Sequence, residues 1–211
     1  MQLVEQRSQE WFDIRRGKIT SSEFHKILGD GKVKETYLLE KIAEGIGGFS
    51  QPAVGPALEW GTELESTAID VYTERTGIVV EKASFIPVND YYGGSPDGLV
   101  PPDGIIEVKC PYTTVKHLKH GLIKTDADFK KTSPEYYYQC ISNMICANAQ
   151  WCDFISYDPR VNQKYQMFIY RLNRNEDEVK SMQDKLEAAV KQLEELKTKL
   201  EPAIDSQDGA E

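Results

Sequence analysis

Histidine and cysteine are scarce in this chain of 211 residues, with three of the first and four of the second. Cys110, Cys140, Cys146 and Cys152 form no CxxC pair, which argues against a Cys/His zinc centre and against a short disulfide framework. The four thiols read as reduced and mostly buried. Long apolar runs are missing too. No segment approaches the roughly 20 apolar residues of a membrane span, and the opening MQLVEQRSQEWFDIRRGK has no apolar run suited to a secretory signal. The expected location is cytoplasmic. Basic residues are the minority, 25 against 34 acids, for a net charge of −9. At first sight that excludes a simple cationic glove for nucleic acid. What is present is a core: 40% of residues are hydrophobic, with three Trp, eleven Tyr and seven Phe. This excludes a fully disordered chain and fits one domain, or one domain with an appendage.

The charge is unevenly spread. Between Asn175 and Glu211 eleven acids face five lysines, so −6 of the −9 falls there. In that stretch Val179, Met182, Leu186, Ala189, Leu193, Leu196 and Leu200 recur at steps of three and four, the pattern of a helical seam. The seam suits a helix laid on the body of the domain or a coiled-coil contact with another subunit or a partner. The chain therefore divides into a body over residues 1–174 and an acidic helix over 175–211 that frays beyond Pro202.

The body reads as mixed α and β. Ser21 and Ser22 can cap a helix toward Leu28, and a second helix runs through Tyr37, Leu38 and Ile42. Gly45 to Pro56 is loop. Ala57 to Arg75 has helical spacing and stops at Gly77. Ile78–Val88, Gly98–Val100 and Ile105–Cys110 read as strands, Pro134 opens another helix, and Phe154–Tyr157 and Tyr165–Leu172 are two more strands.

Chemistry concentrates between Ser95 and Lys109. The sequence Pro101-Pro102-Asp103-Gly104 is a turn signal between two short strands. Folding back there brings Asp97 level with Glu107, and strand alternation points Glu107 and Lys109 the same way. Two carboxylates and an ammonium then converge. Clustered carboxylates repel unless they share a proton or a cation, and an all-oxygen set suits Mg²⁺ or Mn²⁺. A lysine beside such an ion can orient or help deprotonate water, so the implied reaction is phosphodiester hydrolysis. An ordinary surface hairpin is the competing explanation for a bare Glu-x-Lys.

Pro96-Asp97 followed by Glu107-Val108-Lys109 resembles the PD-(D/E)xK nuclease signature. Further blocks narrow the resemblance to the phage lambda exonuclease, or YqaJ-type viral recombinase, family. They are Trp11 to Gly17 with Ile19 to Ser22, Ala57 to Gly61 leading to Glu65, Lys109-Cys110-Pro111, and Tyr157-Asp158-Pro159-Arg160, in the family's order from about residue 9 to 172. The fold so implied is an α/β, type II restriction-endonuclease-like core, a central mixed sheet flanked by helices, with a C-terminal helix added.

The resemblance implies roles residue by residue. Asp97 and Glu107 match metal-binding carboxylates, the Val108 carbonyl a further ligand, Lys109 the catalytic lysine and Glu65 the family's helical acid. Glu59 and Glu63 default to solvent. Arg15, Ser22 and Ser95 match a pocket for a 5′-phosphate, where a guanidinium fork, hydroxyls and a helix N-terminus suit an anion; Arg16 defaults to solvent. Leu58 matches an apolar wedge into the duplex end, though alone it would read as core. Gln139 falls beside the active site, where it could orient water or phosphate, but the family's second glutamine is replaced by Ile141. The lysines at 116, 119, 124, 130 and 131 make a solvated face or a phosphate track. His117 and His120 lack a third ligand for a metal.

The activity implied by the family is Mg²⁺-dependent 5′-to-3′ digestion of linear double-stranded DNA to mononucleotides, leaving 3′ single strands. The resemblance also implies a ring of three subunits around the DNA, a single-strand annealing protein as partner and a bacterial host cytosol. An endonuclease or junction resolvase of the same fold, or a catalytically silent DNA-binding protein, is the alternative.

Overall fold

A computed structural model describes residues 4, 6, 8–48 and 55–205. Two sheets organise it. The larger has four strands in the order β4 (Gly98–Val100), β5 (Gly104–Lys109), β6 (Trp151–Tyr157) and β7 (Met167–Asn173). The two outer pairings are antiparallel, and β5 runs parallel to β6. A parallel pair needs a long crossover. Here it is made by three helices, α4 (Thr114–Gly121), α5 (Asp126–Thr132) and α6 (Pro134–Ala147). Pro134 occupies the first turn of α6, where its missing N–H costs nothing, as the sequence suggested.

Alternation along β5 and β6 gives the sheet two different faces. Ile105, Cys152 and Phe154 pack with Tyr137, Cys140, Ile141 and Met144 of α6. Ile106, Val108 and Ile155 pack on the opposite face with Ala68 and Tyr72 of α3 (Pro56–Thr76). Gly77 closes α3 with a left-handed φ of 71°, a conformation that glycine adopts without a Cβ clash.

The smaller sheet joins β1 (Ile19–Thr20), β3 (Tyr92–Gly94) and β2 (Ile86–Pro87) in that order, with β1 parallel to β3. It lies close against α6. A Cβ on Gly94 would come within 2.5 Å of Asn143 Oδ1 and closer still to Ser21 Oγ, so only glycine permits this approach.

Two expectations are corrected. The alternating stretch Ile78–Val88 is not one strand: Glu81 makes a single bridge to Leu99, and only Ile86–Pro87 joins a ladder. The chain crosses from the edge of one sheet to the edge of the other, and neither ladder can extend through the crossing. Ser21 and Ser22 do not cap an α-helix. They begin a 3-10 helix, Ser21–Ile27, preceded by Thr20 without a side-chain cap bond. The Ser21 hydroxyl is buried and receives a hydrogen bond from Ser142 of α6 instead.

Between these come α1 (Gln9–Arg15) and α2 (Lys32–Gly45). Of the expected loop from Gly45 to Pro56, residues 49–54 lie outside the described residues, as does the tail from 206. The last helix, α7 (Glu176–Asp205), turns Val179, Met182, Ala189 and Leu193 into the same core as Ile19, Phe24 and Leu38. The seam therefore lies on the body of the domain along these positions, with Leu200 exposed at its end.

Candidate active site

Strand β5 outruns its neighbour. Gly98 is level with Ile106, and beyond that pair β4 stops while β5 continues through Glu107, Val108 and Lys109. Asp97 fills the gap. Its N–H donates to the Ile106 carbonyl at 3.1 Å, and its Oδ2 accepts the Val108 N–H at 2.7 Å. A side-chain carboxylate thus continues the ladder where the strand ends, opposite Glu107 as the turn arithmetic required.

Glu107 and Lys109 point to the α6 side. Glu107 is fully buried, and its Oε1 accepts from Lys109 Nζ at 2.5 Å and from Gln139 Nε2 at 2.6 Å. Its Oε2 accepts from Asn143 Nδ2 at 2.9 Å. Residues 136, 139 and 143 recur at helical spacing on α6, so Tyr136 joins the same face, its ring centroid 5.0 Å from Lys109 Nζ. Asn143 was not singled out in the sequence. Its spacing of four from Gln139, on a helix already assigned to the site, is the signal that could have found it.

Burial pushes the Asp97 carboxyl well above its ordinary range, reinforced by the charges of Glu107 and Glu65 against Lys109 and the Val108 N–H. Glu107 is raised by the same burial, against the opposing pull of Lys109 and Asn143. Burial alone would lower the Lys109 ammonium, but Glu107 and Asp97 outweigh it and raise its pKa. The neighbouring Cys110 thiol is pushed up to about 12 by burial and by Glu65 and Asp97, which leaves it an inert packed thiol.

Glu65 is half-buried on α3, and its charge reaches Asp97 and Glu107 from the other face of the sheet. Leu58 lies seven residues earlier, two turns back on the same helix face, and is half-exposed. Glu59 and Glu63 are exposed.

The donor set fits a hard divalent cation. It is all oxygen, and in this buried place Glu107 and Glu65 raise the Asp97 pKa and Glu65 raises that of Glu107, a repulsion that a cation relieves. The pair most nearly in place is Asp97 and Glu107. Among the described residues no group of three or more His, Cys, Asp or Glu side chains is arranged to hold a metal.

A second cluster adjoins the first. Ser22 stands in the first turn of the 3-10 helix that follows β1, and Ser95 directly follows β3, the strand paired with β1. The Ser95 hydroxyl accepts from Trp11 Nε1 at 3.2 Å. The Arg15 guanidinium lies 3.8 Å over the Trp11 ring. Burial lowers the Arg15 pKa to about 10, against the raising charges of Glu23, Tyr37 and Glu44. Arg15 and Ser95 are therefore joined through Trp11, which precedes Arg15 by one helical turn and was not assigned a role in the sequence. Ser22 is exposed, with Thr20 Oγ1 at 3.4 Å from its hydroxyl. Arg16 is paired with Asp13 on the surface.

The basic segment divides. Lys116 stands 4.5 Å from the Tyr136 ring centroid and donates to its hydroxyl, Lys130 pairs with Glu178 at 2.7 Å, and Lys119 and Lys131 are exposed. His117 and His120 are buried and committed to hydrogen bonds. His117 Nε2 donates to the Tyr165 carbonyl, and its Nδ1 is hydrogen-bonded to the Ser156 hydroxyl. The same hydroxyl meets His120 Nδ1, and His120 Nε2 meets the Ser133 hydroxyl. Burial lowers the His120 pKa, so its ring sits neutral in this chain.

Comparison with solved structures places this architecture among the exonucleases. An alkaline exonuclease (LHK-Exo) from Laribacter hongkongensis superimposes with a TM-score of 0.81 at 31% identity, covering 95% of this chain and 100% of that one. The same enzyme in complex with dAMP gives 0.81 at 33% identity, covering 94% and 99%. A phage-related exonuclease from Haemophilus somnus 129PT shares the fold, with a TM-score of 0.72 at 19% identity over 87% and 96% of the two chains. The α/β exonuclease fold is thus the class. Residues 10–150 match the YqaJ-like viral recombinase domain, and the chain belongs to that family. No curated protein sequence matches it.

Proposed function

We propose that the protein is a Mg²⁺-dependent exonuclease that degrades linear double-stranded DNA from 5′ ends, releasing 5′-mononucleotides and leaving 3′ single strands for recombination by strand annealing. The observation that carries this reading is the adjacency of two sites. Asp97, Glu107 and Lys109 meet at the open edge of β5, and the Arg15–Trp11–Ser95 cluster touches them through Asn143, whose amide reaches both Glu107 and the Ser95 carbonyl. The dAMP complex of the Laribacter enzyme supports a mononucleotide product.

Asp97, Glu107 and the Val108 carbonyl would hold the cation, Mg²⁺ or Mn²⁺, with Glu65 approaching from α3. When bound, it would polarise the scissile phosphate and lower the pKa of a coordinated water. Lys109, kept protonated by its carboxylate neighbours, donates to water or to a phosphate oxygen and offsets charge that develops there. Gln139 and Asn143 fix the Glu107 carboxylate by filling acceptor positions on both of its oxygens. Arg15, with Ser22 and Ser95, receives the terminal 5′-phosphate, which selects ends over interior bonds. Leu58, exposed at the start of α3, parts the terminal base pair. Three copies in a ring would keep the enzyme on its strand, with a single-strand annealing protein taking the product.

The test offers a closed circular plasmid beside its linearised form, with Mg²⁺ and with a chelator. Loss of the linear form alone, abolished by chelation and by Asp97→Ala in a folded protein, is the expected result. Rapid loss of the circle would transfer the reading to an endonuclease or junction resolvase of the same fold. Activity unchanged in Asp97→Ala would leave a catalytically silent DNA-binding protein.

A further inference from the structure

The block Tyr157 to Arg160, which begins on the last residue of β6, takes no part in the chemistry above, yet Asp158 and Arg160 are held by a dense set of hydrogen bonds. Asp158 is fully buried. Its Oδ1 accepts from the Arg160 backbone N–H at 3.0 Å and from Arg160 Nε at 2.8 Å. Its Oδ2 accepts from Arg160 Nη2 at 2.9 Å and from the Thr114 hydroxyl at 2.8 Å. Burial would raise this carboxyl, but the bonds from Arg160 and Thr114 outweigh it and leave the pKa at about 2.

The guanidinium has donors left over, and it spends them on the chain that leaves β5. Nη1 donates to the Tyr112 carbonyl at 3.1 Å and Nη2 to that of Pro111 at 3.3 Å. These acceptors lie two and three residues beyond Lys109. Its flat face covers Trp60 of α3, 4.3 Å from the ring centroid, and Trp60 meets Tyr112 edge-on at 6.5 Å. Trp60 stands between Leu58 and Glu65. One side chain therefore touches the end of β6, the exit of the strand that carries Glu107 and Lys109, and the helix that carries Glu65.

We propose that Arg160 is a positioning residue: it sets how closely Glu65 on α3 stands to Asp97, Glu107 and Lys109 by pinning Trp60 and the 111–112 backbone to a buried Asp158. The inference rests on the metal-dependent nuclease reading. Only a guanidinium can make the two-pronged bond to Asp158, reach two carbonyls and stack on an indole together. Lysine keeps the charge and loses that geometry. Partners that orient metal ligands from behind typically change affinity or activity by about 10–100-fold when removed.

The test compares wild type, Arg160→Lys and Trp60→Leu by melting temperature, by kcat and KM on a linear duplex, and by Mn²⁺ affinity without DNA, read from the paramagnetic signal of the free ion. The expected result for Arg160→Lys is a folded protein with kcat and Mn²⁺ affinity each reduced about tenfold and KM unchanged. Trp60→Leu should show the same pattern, with smaller losses. Wild-type kcat and Mn²⁺ affinity in a folded Arg160→Lys protein, with or without a lower melting temperature, would overturn the proposal. Should Arg160→Lys not fold, Trp60→Leu decides in its place, with wild-type values again overturning it. An inactive wild-type enzyme would refute the nuclease reading, a result distinct from either.

Discussion

His120 offers a quantitative test of the buried hydrogen-bond chain. Its pKa is lowered from 6.5 to about 3, first by burial and then by the charges of Lys116, His117 and Lys109. At pH 7 folded and unfolded chains both carry the neutral ring, and no penalty exists. Below about 6.5 the unfolded chain takes up a proton that the folded chain refuses until pH 3, so stability falls with acidification across that window and levels off beneath it. At about 1.4 kcal/mol per pH unit, the step from pH 7 to pH 5 costs about 2 kcal/mol, and the whole window about 5 kcal/mol. For a chain of this size 2 kcal/mol lowers the melting temperature by about 4–8 °C. The assay is calorimetry of wild type and His120→Gln at pH 7 and pH 5. Glutamine does not titrate, and the carboxylates, some of which respond in the opposite direction, are common to both proteins. The variant is expected to be less stable at pH 7 and to lose less on acidification than wild type, by about 2 kcal/mol. Equal losses in the two proteins would refute a neutral, buried His120.

Two other clusters give measurable outcomes. Arg171 holds the buried Asp153 carboxylate with two bonds of 2.8 Å, beside a third from the Tyr72 hydroxyl at 2.7 Å. Arg171→Met leaves that charge short of partners and should cost about 3 kcal/mol, or about 6–12 °C in melting temperature by calorimetry; a shift below about 2 °C would show the pair to be dispensable. Arg15→Ala should erase a preference for 5′-phosphorylated over 5′-hydroxyl duplex ends, read by product release from matched substrates, and equal rates in the intact enzyme would remove Arg15 and Ser95 from end recognition.

Elements with a long period or a marked turn were legible in the sequence. The turn at 101–104 placed Asp97 opposite Glu107, because antiparallel register follows from counting back from the turn. Helix α3 could be recognised over nearly its whole length, since 21 residues give the apolar period room to repeat before Gly77. Strands β1 and β3 were missed for the opposite reason. Two or three residues, among them Gly93 and Gly94, hold too little alternation to register, and their pairing depends on what lies beneath them. The stretch 78–88 misled because alternation reports an extended chain, whether or not one sheet receives it. Arg15 and Ser95 could be named from the sequence, but the indole joining them could not be assigned, since Trp11 looks like core until its ring is found between a guanidinium and a hydroxyl. The burial of His117 and His120 could not be read from a segment whose neighbouring lysines suit a solvated face. Burial was decided by Ser156 on a strand 36 residues further on.

The packing of α7 bears on how the chain can be made. Val179, Met182, Ala189 and Leu193 share one core with Ile19, Phe24 and Leu38, so an apolar surface assembled from the first quarter of the sequence waits for residues translated near its end. At about 5–20 residues per second, roughly ten to thirty seconds separate the two on the ribosome. Through that interval the face that α7 later occupies stays uncovered, and chaperone binding or self-association in the nascent chain would centre on it.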